Sequence, residues 1–166
     1  VSGGVLPGAF EPLHQGHEEL ARIAASILGR DVTFELSVAN VDKPLLPLEE
    51  VRRRVAQFAG KMPVVVTRAA TFDEKSRLFP GCTFVIGWDT AVRLVDRRYY
   101  SNNEASMLTA LASIRGQGCR FLVAGRLEDG VYRTLGEVAV PAGFEDMLSE
   151  IPREQFRIDI SSTKLR

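Results

Sequence analysis

Two histidines, His14 and His17, stand three positions apart in a short stretch of glycine, proline and polar residues, 8–17 (GAFEPLHQGH). An apolar pair, Val5 and Leu6, precedes it, and apolar residues with helical spacing follow it at Leu20, Ile23, Ala24, Ile27 and Leu28. We therefore predict a strand end, a turn, and a helix that begins at about the second histidine.

The first turn of a helix has free N–H groups and a partial positive charge, and histidine nitrogens add further donors. This combination favours a phosphate-binding site, with Gly16 leaving room for a phosphate near the backbone. A pair of surface histidines on a loop is the alternative.

The composition indicates one ordinary globular domain spanning residues 1–166. A hydrophobic content of 45% and a charged content of 25% are usual for such proteins, and the net charge of zero argues against a dedicated nucleic-acid binder. No apolar run reaches the roughly 18 residues that a membrane span needs, and residues 1–9 do not have the pattern expected of a secretory signal peptide. Val1 is not an initiator methionine, so we expect a piece trimmed or excised from a longer chain.

The two cysteines, Cys82 and Cys119, each adjoin an apolar run and are too far apart to suggest a zinc site. We expect a reduced pair in the core of a cytoplasmic protein. The sequence leaves association of identical chains open.

Strand-like and helical segments alternate along most of the chain. After the first strand, we predict strands at residues 32–39, 63–66, 82–87 and 120–124. The predicted helices after the first lie at 47–60, 71–78, 90–96 and 101–116. The capping boxes Thr71–Glu74 and Ser101–Glu104 begin the helices at 71–78 and 101–116, and Asp89 caps the helix at 90–96. Arg52, Arg53 and Arg54 are placed away from the inward face of the second helix. Residues 127–130 read as a turn, 131–140 as extended, 144–150 as a helical turn and 156–158 as a short strand.

This alternation predicts a doubly wound, Rossmann-like α/β fold with a parallel sheet in the order 3-2-1-4-5. Strands one and four are then neighbours at the point where the strand order reverses, which is where ligands bind in such sheets. His14, His17, Trp88 and Asp89 are all expected at this carboxyl edge.

Two sequence motifs carry a family resemblance. Residues 8–17 resemble the G-x-F-[DE]-P-x-H-x-G-H signature of the nucleotidylyltransferase superfamily, with Glu11 in place of the more frequent Asp. Residues 160–166 (ISSTKLR) resemble its second signature, I-S-S-T-x-[IL]-R. The two motifs bracket nearly the whole chain, and the form of the second is most similar to that of nicotinate or nicotinamide mononucleotide adenylyltransferases.

The resemblance implies a reaction with ATP, Mg²⁺ and a small phosphorylated acceptor. An acceptor phosphate attacks the α-phosphorus and pyrophosphate leaves, so catalysis is mainly positioning and neutralisation of charge. His14 and His17 would bind the phosphates, and nearby anions should favour their charged form. The same loop would contribute Gly8, Ala9, Phe10 and Gly16 to nucleotide binding. Magnesium would bridge the triphosphate oxygens mainly through water, without a metal site of protein ligands.

The second signature would hold the β- and γ-phosphates. Ser161, Ser162 and Thr163 offer hydroxyls and N–H groups, and Arg166 could add a forked contact, although the helix that should follow is absent. An ordinary run of N-cap residues is the alternative. Lys43 matches, less tightly, a phosphate-binding lysine of the family, and it could equally be a solvated loop lysine.

Three residues at the ends of strands four and five complete the expected site. Asp89 resembles the Asp of the family's G-x-D, and Arg126 is a weaker phosphate candidate. Trp88, the only tryptophan, offers an indole face to a flat pyridine ring. We therefore expect nicotinate or nicotinamide mononucleotide as the acceptor; packing beneath the following helix is the other role for Trp88.

Three other functions remain open. The chain could be a non-catalytic nucleotide-binding sensor module of a larger protein, or a nucleotidylyltransferase for another acceptor such as phosphopantetheine or phosphocholine. Residues 74–77 (EKSR) faintly resemble the lysine-serine loop of class I aminoacyl-tRNA synthetases, but the chain is short for such an enzyme.

Overall fold

Helices and strands alternate through most of the chain, for which a computed structural model describes residues 3–41 and 43–155. The helices and strands, in chain order, are β1 (Gly4–Pro7), α1 (Gln15–Leu28), β2 (Val32–Ser37), α2 (Leu48–Ala56), β3 (Val64–Thr67), α3 (Phe72–Leu78), β4 (Thr83–Gly87), α4 (Trp88–Leu94), α5 (Glu104–Gly116), β5 (Arg120–Ala124), β6 (Arg126–Glu128), β7 (Val131–Arg133) and β8 (Leu148–Glu150). Short 3-10 turns lie at Arg97–Tyr100, Leu135–Glu137 and Glu145–Met147.

The main sheet is parallel and has the order β3-β2-β1-β4-β5-β8. The predicted doubly wound α/β fold and the order of the first five strands are therefore confirmed. Side chains of the central strands alternate between two cores: Phe84 packs with Leu111 of α5 on one face, while Val85 packs with Leu20 of α1 on the other. Both faces of the sheet are thus covered, as the nearly continuous apolar strands require.

Several predicted details are wrong. Helix α4 begins two residues earlier than expected, and its N-cap is Gly87 rather than Asp89. Helix α5 is capped by Asn103, whose side chain accepts a hydrogen bond from the Ser106 N–H, and Ser101 instead ends the preceding 3-10 turn in a left-handed conformation. The expected Thr71 cap of α3 is confirmed, because its hydroxyl accepts a hydrogen bond from the Glu74 N–H at 3.2 Å.

The region after β5 also differs from the prediction. The turn predicted at 127–130 is confined to Asp129 and Gly130, because Leu127 and Glu128 belong to β6, which this turn joins to β7 in a separate antiparallel hairpin. Residues 134–140 are not a continuous strand, since a 3-10 turn interrupts them. The predicted helical turn near residue 144 is a 3-10 turn that leads into β8, a sixth strand of the main sheet. The strand predicted at 156–158 lies outside the described residues.

The two cysteines lie in the core, as expected. Both thiols are buried and reduced, with 3.9 Å between Cys82 Sγ and Cys119 Sγ. Burial, with a smaller contribution from Cys119, raises the pKa of the Cys82 thiol far above its ordinary value. None of the helices in the described ranges has the length and apolar character needed to span a membrane.

A buried ion pair connects β2 to α3 below the carboxyl edge of the sheet. Lys75 Nζ donates to both carboxylate oxygens of Glu35 at 2.9 Å and to the Ala69 carbonyl at 3.2 Å, while the Thr67 hydroxyl donates to Glu35 at 2.6 Å. Glu35 and Lys75 are only 0% and 7% exposed. Because Lys75 is held inside the protein, it does not occupy a synthetase-like lysine-serine loop.

Removal of one partner of this pair should destabilise the fold strongly. A Lys75→Met substitution leaves the Glu35 carboxylate buried without its counter-ion, which costs on the order of 3–5 kcal/mol. The double variant Glu35→Leu/Lys75→Met, which has no buried charge, should be more stable than the single variant. Urea unfolding of the three proteins measures this order, and a single variant as stable as the wild type would contradict it.

Candidate active site

The two histidines cap the first turn of α1 by accepting hydrogen bonds from backbone N–H groups of that turn. His14 is the N-cap, and its Nδ1 accepts a hydrogen bond from the Gly16 N–H at 3.0 Å. In return, His17 Nδ1 accepts from the His14 N–H at 3.1 Å. The two rings stack with 3.8 Å between their centroids. Since each Nδ1 is an acceptor, the proton of each neutral ring is on Nε2, which remains as the donor for a ligand.

Gly16 is required by the His14 ring. A Cβ atom at this position would lie 2.8 Å from His14 Cε1 and 2.9 Å from Nδ1, closer than van der Waals contact allows. The space expected to admit a phosphate is therefore occupied by the imidazole that caps the helix. Gly16 therefore contributes to the site by leaving space for the His14 ring.

Phe10 anchors the loop that precedes the histidines. Its side chain is 1% exposed and makes edge contacts with the rings of Phe34, Phe58 and His17, the last at 5.1 Å between centroids. A Cβ on Gly8 would lie 2.9 Å from the Phe10 ring, and the Gly8 N–H is bound to the Glu35 carbonyl at 3.1 Å. The Phe10 side chain therefore supports the loop from the core, while the neighbouring Ala9 is exposed.

Helix α2 holds the same loop through Arg54, which the sequence had placed away from the inward face. Arg54 is 8% exposed, and its guanidinium donates to the Ala9 carbonyl at 3.2 Å and to the Glu11 carboxylate at 2.9 Å. The earlier placement of Arg54 was wrong because the apolar spacing of α2 gives no sign of a polar partner outside the helix. The contact also gives Glu11 a structural role.

Gln57, at the C-terminal end of α2, completes this support. Its amide oxygen accepts from the Leu13 N–H at 2.7 Å, and its nitrogen donates to the Phe10 carbonyl at 2.8 Å. Sequence reasoning missed both Arg54 and Gln57 because they lie more than 40 positions from the residues they hold. Together they fix the backbone from Ala9 to Leu13 and thereby the start of α1.

Burial keeps both imidazoles neutral in the free protein. It lowers the pKa of His14 from its ordinary value of 6.5. It also lowers the pKa of His17 to about 4, with a smaller contribution from His14. The charged form was expected for rings next to bound phosphates, and that expectation stays a prediction. A bound polyphosphate has to raise the pKa of a ring if that ring is to become charged.

A cavity of about 430 Å³ opens beside these histidines at the carboxyl edge of β1, β2 and β4. The Glu35–Lys75 pair lies in its wall. Its lining also includes the loop residues Gly8 and Ala9 and the polar or charged side chains of His17, Asn40, Thr90 and Arg93. A second cavity of about 540 Å³ shares Asn40, Ala70, Phe72, Thr90 and Arg93 with the first and is also lined by Val41, Lys43, Tyr99 and Tyr100. The shared lining makes the two cavities neighbours over the ends of β2 and β4.

The sequence-predicted residues Lys43, Trp88 and Asp89 occupy different surroundings. Lys43 is exposed and lines the second cavity. Asp89 forms an ion pair with Arg126, so the two charges compensate each other. Trp88 lines neither of the two cavities; it packs against the core, and the Arg133 guanidinium lies 6.0 Å from its ring centroid. Its role as a platform for the acceptor ring stays a prediction.

The predicted ligands of the second signature, Ser161, Ser162, Thr163 and Arg166, lie outside the described residues. Within residues 3–41 and 43–155, no group of three or more His, Cys, Asp and Glu side chains is arranged to hold a metal ion. Magnesium held by a bound triphosphate would not need such a group.

Comparison with known proteins identifies the family. The model of the cytidylyltransferase-like family matches residues 5–166, a range that includes both signatures. The chain belongs to this family. Its curated relatives include a probable nicotinate-nucleotide adenylyltransferase of Roseobacter denitrificans, 34% identical over 95 residues that cover 49% of this chain and 48% of the relative. They also include a phosphopantetheine adenylyltransferase of Archaeoglobus fulgidus, 35% identical over 69 residues that cover 37% of this chain and 47% of the relative.

The matches span about half the length of these curated relatives. Among solved structures, the chain is similar to a Plasmodium falciparum nicotinic acid mononucleotide adenylyltransferase complexed with NaAD, at 15% identity and a TM-score of 0.49. That match covers 98% of this chain and 81% of the other.

The lowered pKa of His17 predicts how stability depends on pH. Between pH 6.5 and about 4 the unfolded chain binds a proton that the folded protein does not, so stability present above pH 6.5 is lost as the pH falls. A His17→Gln variant keeps an acceptor for the capping box and removes the titration. Between pH 7.5 and 4.5, we expect the wild type to lose roughly 2 kcal/mol more than this variant.

Urea unfolding of both proteins at the two pH values measures the difference. His14 is present in both and serves as an internal control. Equal losses of stability would mean that His17 titrates normally in the folded protein.

Proposed function

We propose that this protein transfers AMP from ATP to the phosphate of nicotinate or nicotinamide mononucleotide and releases pyrophosphate. An oxygen of the acceptor phosphate forms a bond to the α-phosphorus. The bond from that phosphorus to the bridging oxygen breaks, and the electron pair leaves with pyrophosphate. The observation that supports the proposal most directly is the fixed histidine pair at the start of α1, beside a cavity at the reversal point of the sheet.

The histidines would act as preorganised donors. Each Nδ1 is held by a backbone N–H, so each Nε2–H is set in direction before the nucleotide arrives. Donors that need no reorganisation are most effective where charge develops in the transition state. Because both rings are neutral in the free protein, nucleotide binding would be accompanied by proton uptake, since the phosphates favour the imidazolium form.

Residues outside the histidine pair would bind the other phosphate groups. Lys43 would contact a phosphate from the loop after β2, and Ser161, Ser162, Thr163 and Arg166 would hold the β- and γ-phosphates. Bound Mg²⁺ would neutralise the triphosphate and would be carried by its oxygens and by water. Family membership supports the second-signature assignment, since the family match extends to residue 166.

Substitution of His17 should affect turnover more than nucleotide affinity. We expect His17→Gln to raise the barrier by roughly 2–4 kcal/mol, because the donor acts mainly on the transition state. ATP affinity should change much less. Gln15→Ala, an exposed substitution in the same helical turn, is the control. Pyrophosphate release gives turnover and calorimetry gives affinity; equal losses in both would identify a ground-state contact instead.

The same assay tests the other candidate functions. The relative from Archaeoglobus fulgidus favours phosphopantetheine as the alternative acceptor. Faster pyrophosphate release with phosphopantetheine than with either mononucleotide would overturn the acceptor assignment. A folded chain, with its natural flanking sequence, that binds ATP and releases no pyrophosphate with any of these acceptors would be a nucleotide sensor.

A further inference from the structure

Arg93 is an exposed cation of α4 that lies where the two cavities meet. It follows Thr90 by three residues, so both point from the same side of α4, while Ala91 and Leu94 are buried on the other side. Thr90 and Arg93 line both cavities. Among the described residues, the Arg93 guanidinium has no hydrogen-bond or ion-pair partner, whereas the charged groups of Arg54, Lys75 and Arg126 are all paired.

Counted over the described residues, the lining of the second cavity has an excess of positive charge. Its carboxylate, Asp73, is compensated: Oδ2 pairs with Arg77 at 2.9 Å, and Oδ1 accepts from the Ser113 hydroxyl at 2.7 Å. Arg93 and Lys43 have no such compensation within the described part of the chain. The cavity therefore favours a ligand that carries negative charge at this end as well as at its reacting phosphate.

The same cavity offers aromatic surface to a flat ligand. Tyr99 is 57% exposed, and Tyr100, whose hydroxyl donates to the Leu94 carbonyl at 2.7 Å, lies beside it. Phe72 contributes a third ring. Rings of this kind pack well against a flat heterocycle. A ligand with its phosphate near His17 in the first cavity can extend past Arg93 into this aromatic space, since the two cavities share their lining.

We propose that the Arg93 guanidinium binds a carboxylate on the ring of the acceptor, so that the site selects the acid mononucleotide over the amide. This inference rests on the proposed function. A guanidinium offers two parallel N–H donors to a carboxylate, a geometry that a carboxamide cannot match because one of its two groups is itself a donor. The neutral amide also gains nothing from the uncompensated charge.

Calorimetry with nicotinate mononucleotide and nicotinamide mononucleotide tests the proposal without relying on turnover. Wild-type protein should bind the acid more tightly. Arg93→Gln should weaken binding of the acid by roughly 10- to 100-fold, the loss expected for a charge-assisted contact, and binding of the amide by less than about threefold. Arg93→Lys, which keeps the charge and loses the fork, should be intermediate. Arg97→Gln removes the same charge from a groove outside the two cavities and should preserve the preference.

The other outcomes separate this inference from the proposed function. If Arg93→Gln weakens binding of both mononucleotides equally, the guanidinium contacts their shared phosphate. That result would overturn this inference and leave the proposed function standing. Equal affinity of the wild type for the two ligands would also overturn it and leave the proposed function standing. If the wild type binds neither ligand, the mononucleotide assignment falls and this inference falls with it.

Discussion

The reciprocal hydrogen bonding of two histidines to the backbone at the start of α1 is the interaction on which the site depends. It satisfies N–H groups that a helix start leaves free, and it fixes both rings in one tautomer. The polar groups that usually perform such capping are serine, threonine or carboxylate side chains. Here the capping groups are the same side chains that we propose as phosphate donors, so the cap of the helix also sets the direction of both Nε2–H groups.

The rest of the fold holds this turn from three sides. Phe10 supports it from the core, Arg54 and Gln57 bind the loop from α2, and the Glu35–Lys75 pair stabilises the wall of the adjacent cavity. Most of these contacts connect residues that are far apart in sequence.

The regular part of the fold was predictable because its signals are local. Apolar runs such as 82–87 and a cap such as Thr71 specify strands and helix starts without distant partners, and the order of the first five strands follows from their alternation with helices. Three-residue β8 has too little pattern to be recognised, and Asp89 was assigned to a cap because its partner Arg126 lies 37 positions away. The protonation state of His17 depends on how deeply its ring is buried, and the spacing of residues in the sequence does not show that burial.

Nitrogen NMR of the two imidazoles measures the central feature most directly, since it distinguishes tautomers and charge states at each ring. In the free protein at pH 7, we expect neutral rings with the proton on Nε2 in both His14 and His17, and imidazolium signals when ATP and Mg²⁺ are added. A proton on Nδ1 of either ring in the free protein would contradict the reciprocal capping. Rings that stay neutral at saturating nucleotide would contradict the proposed contact with the phosphates.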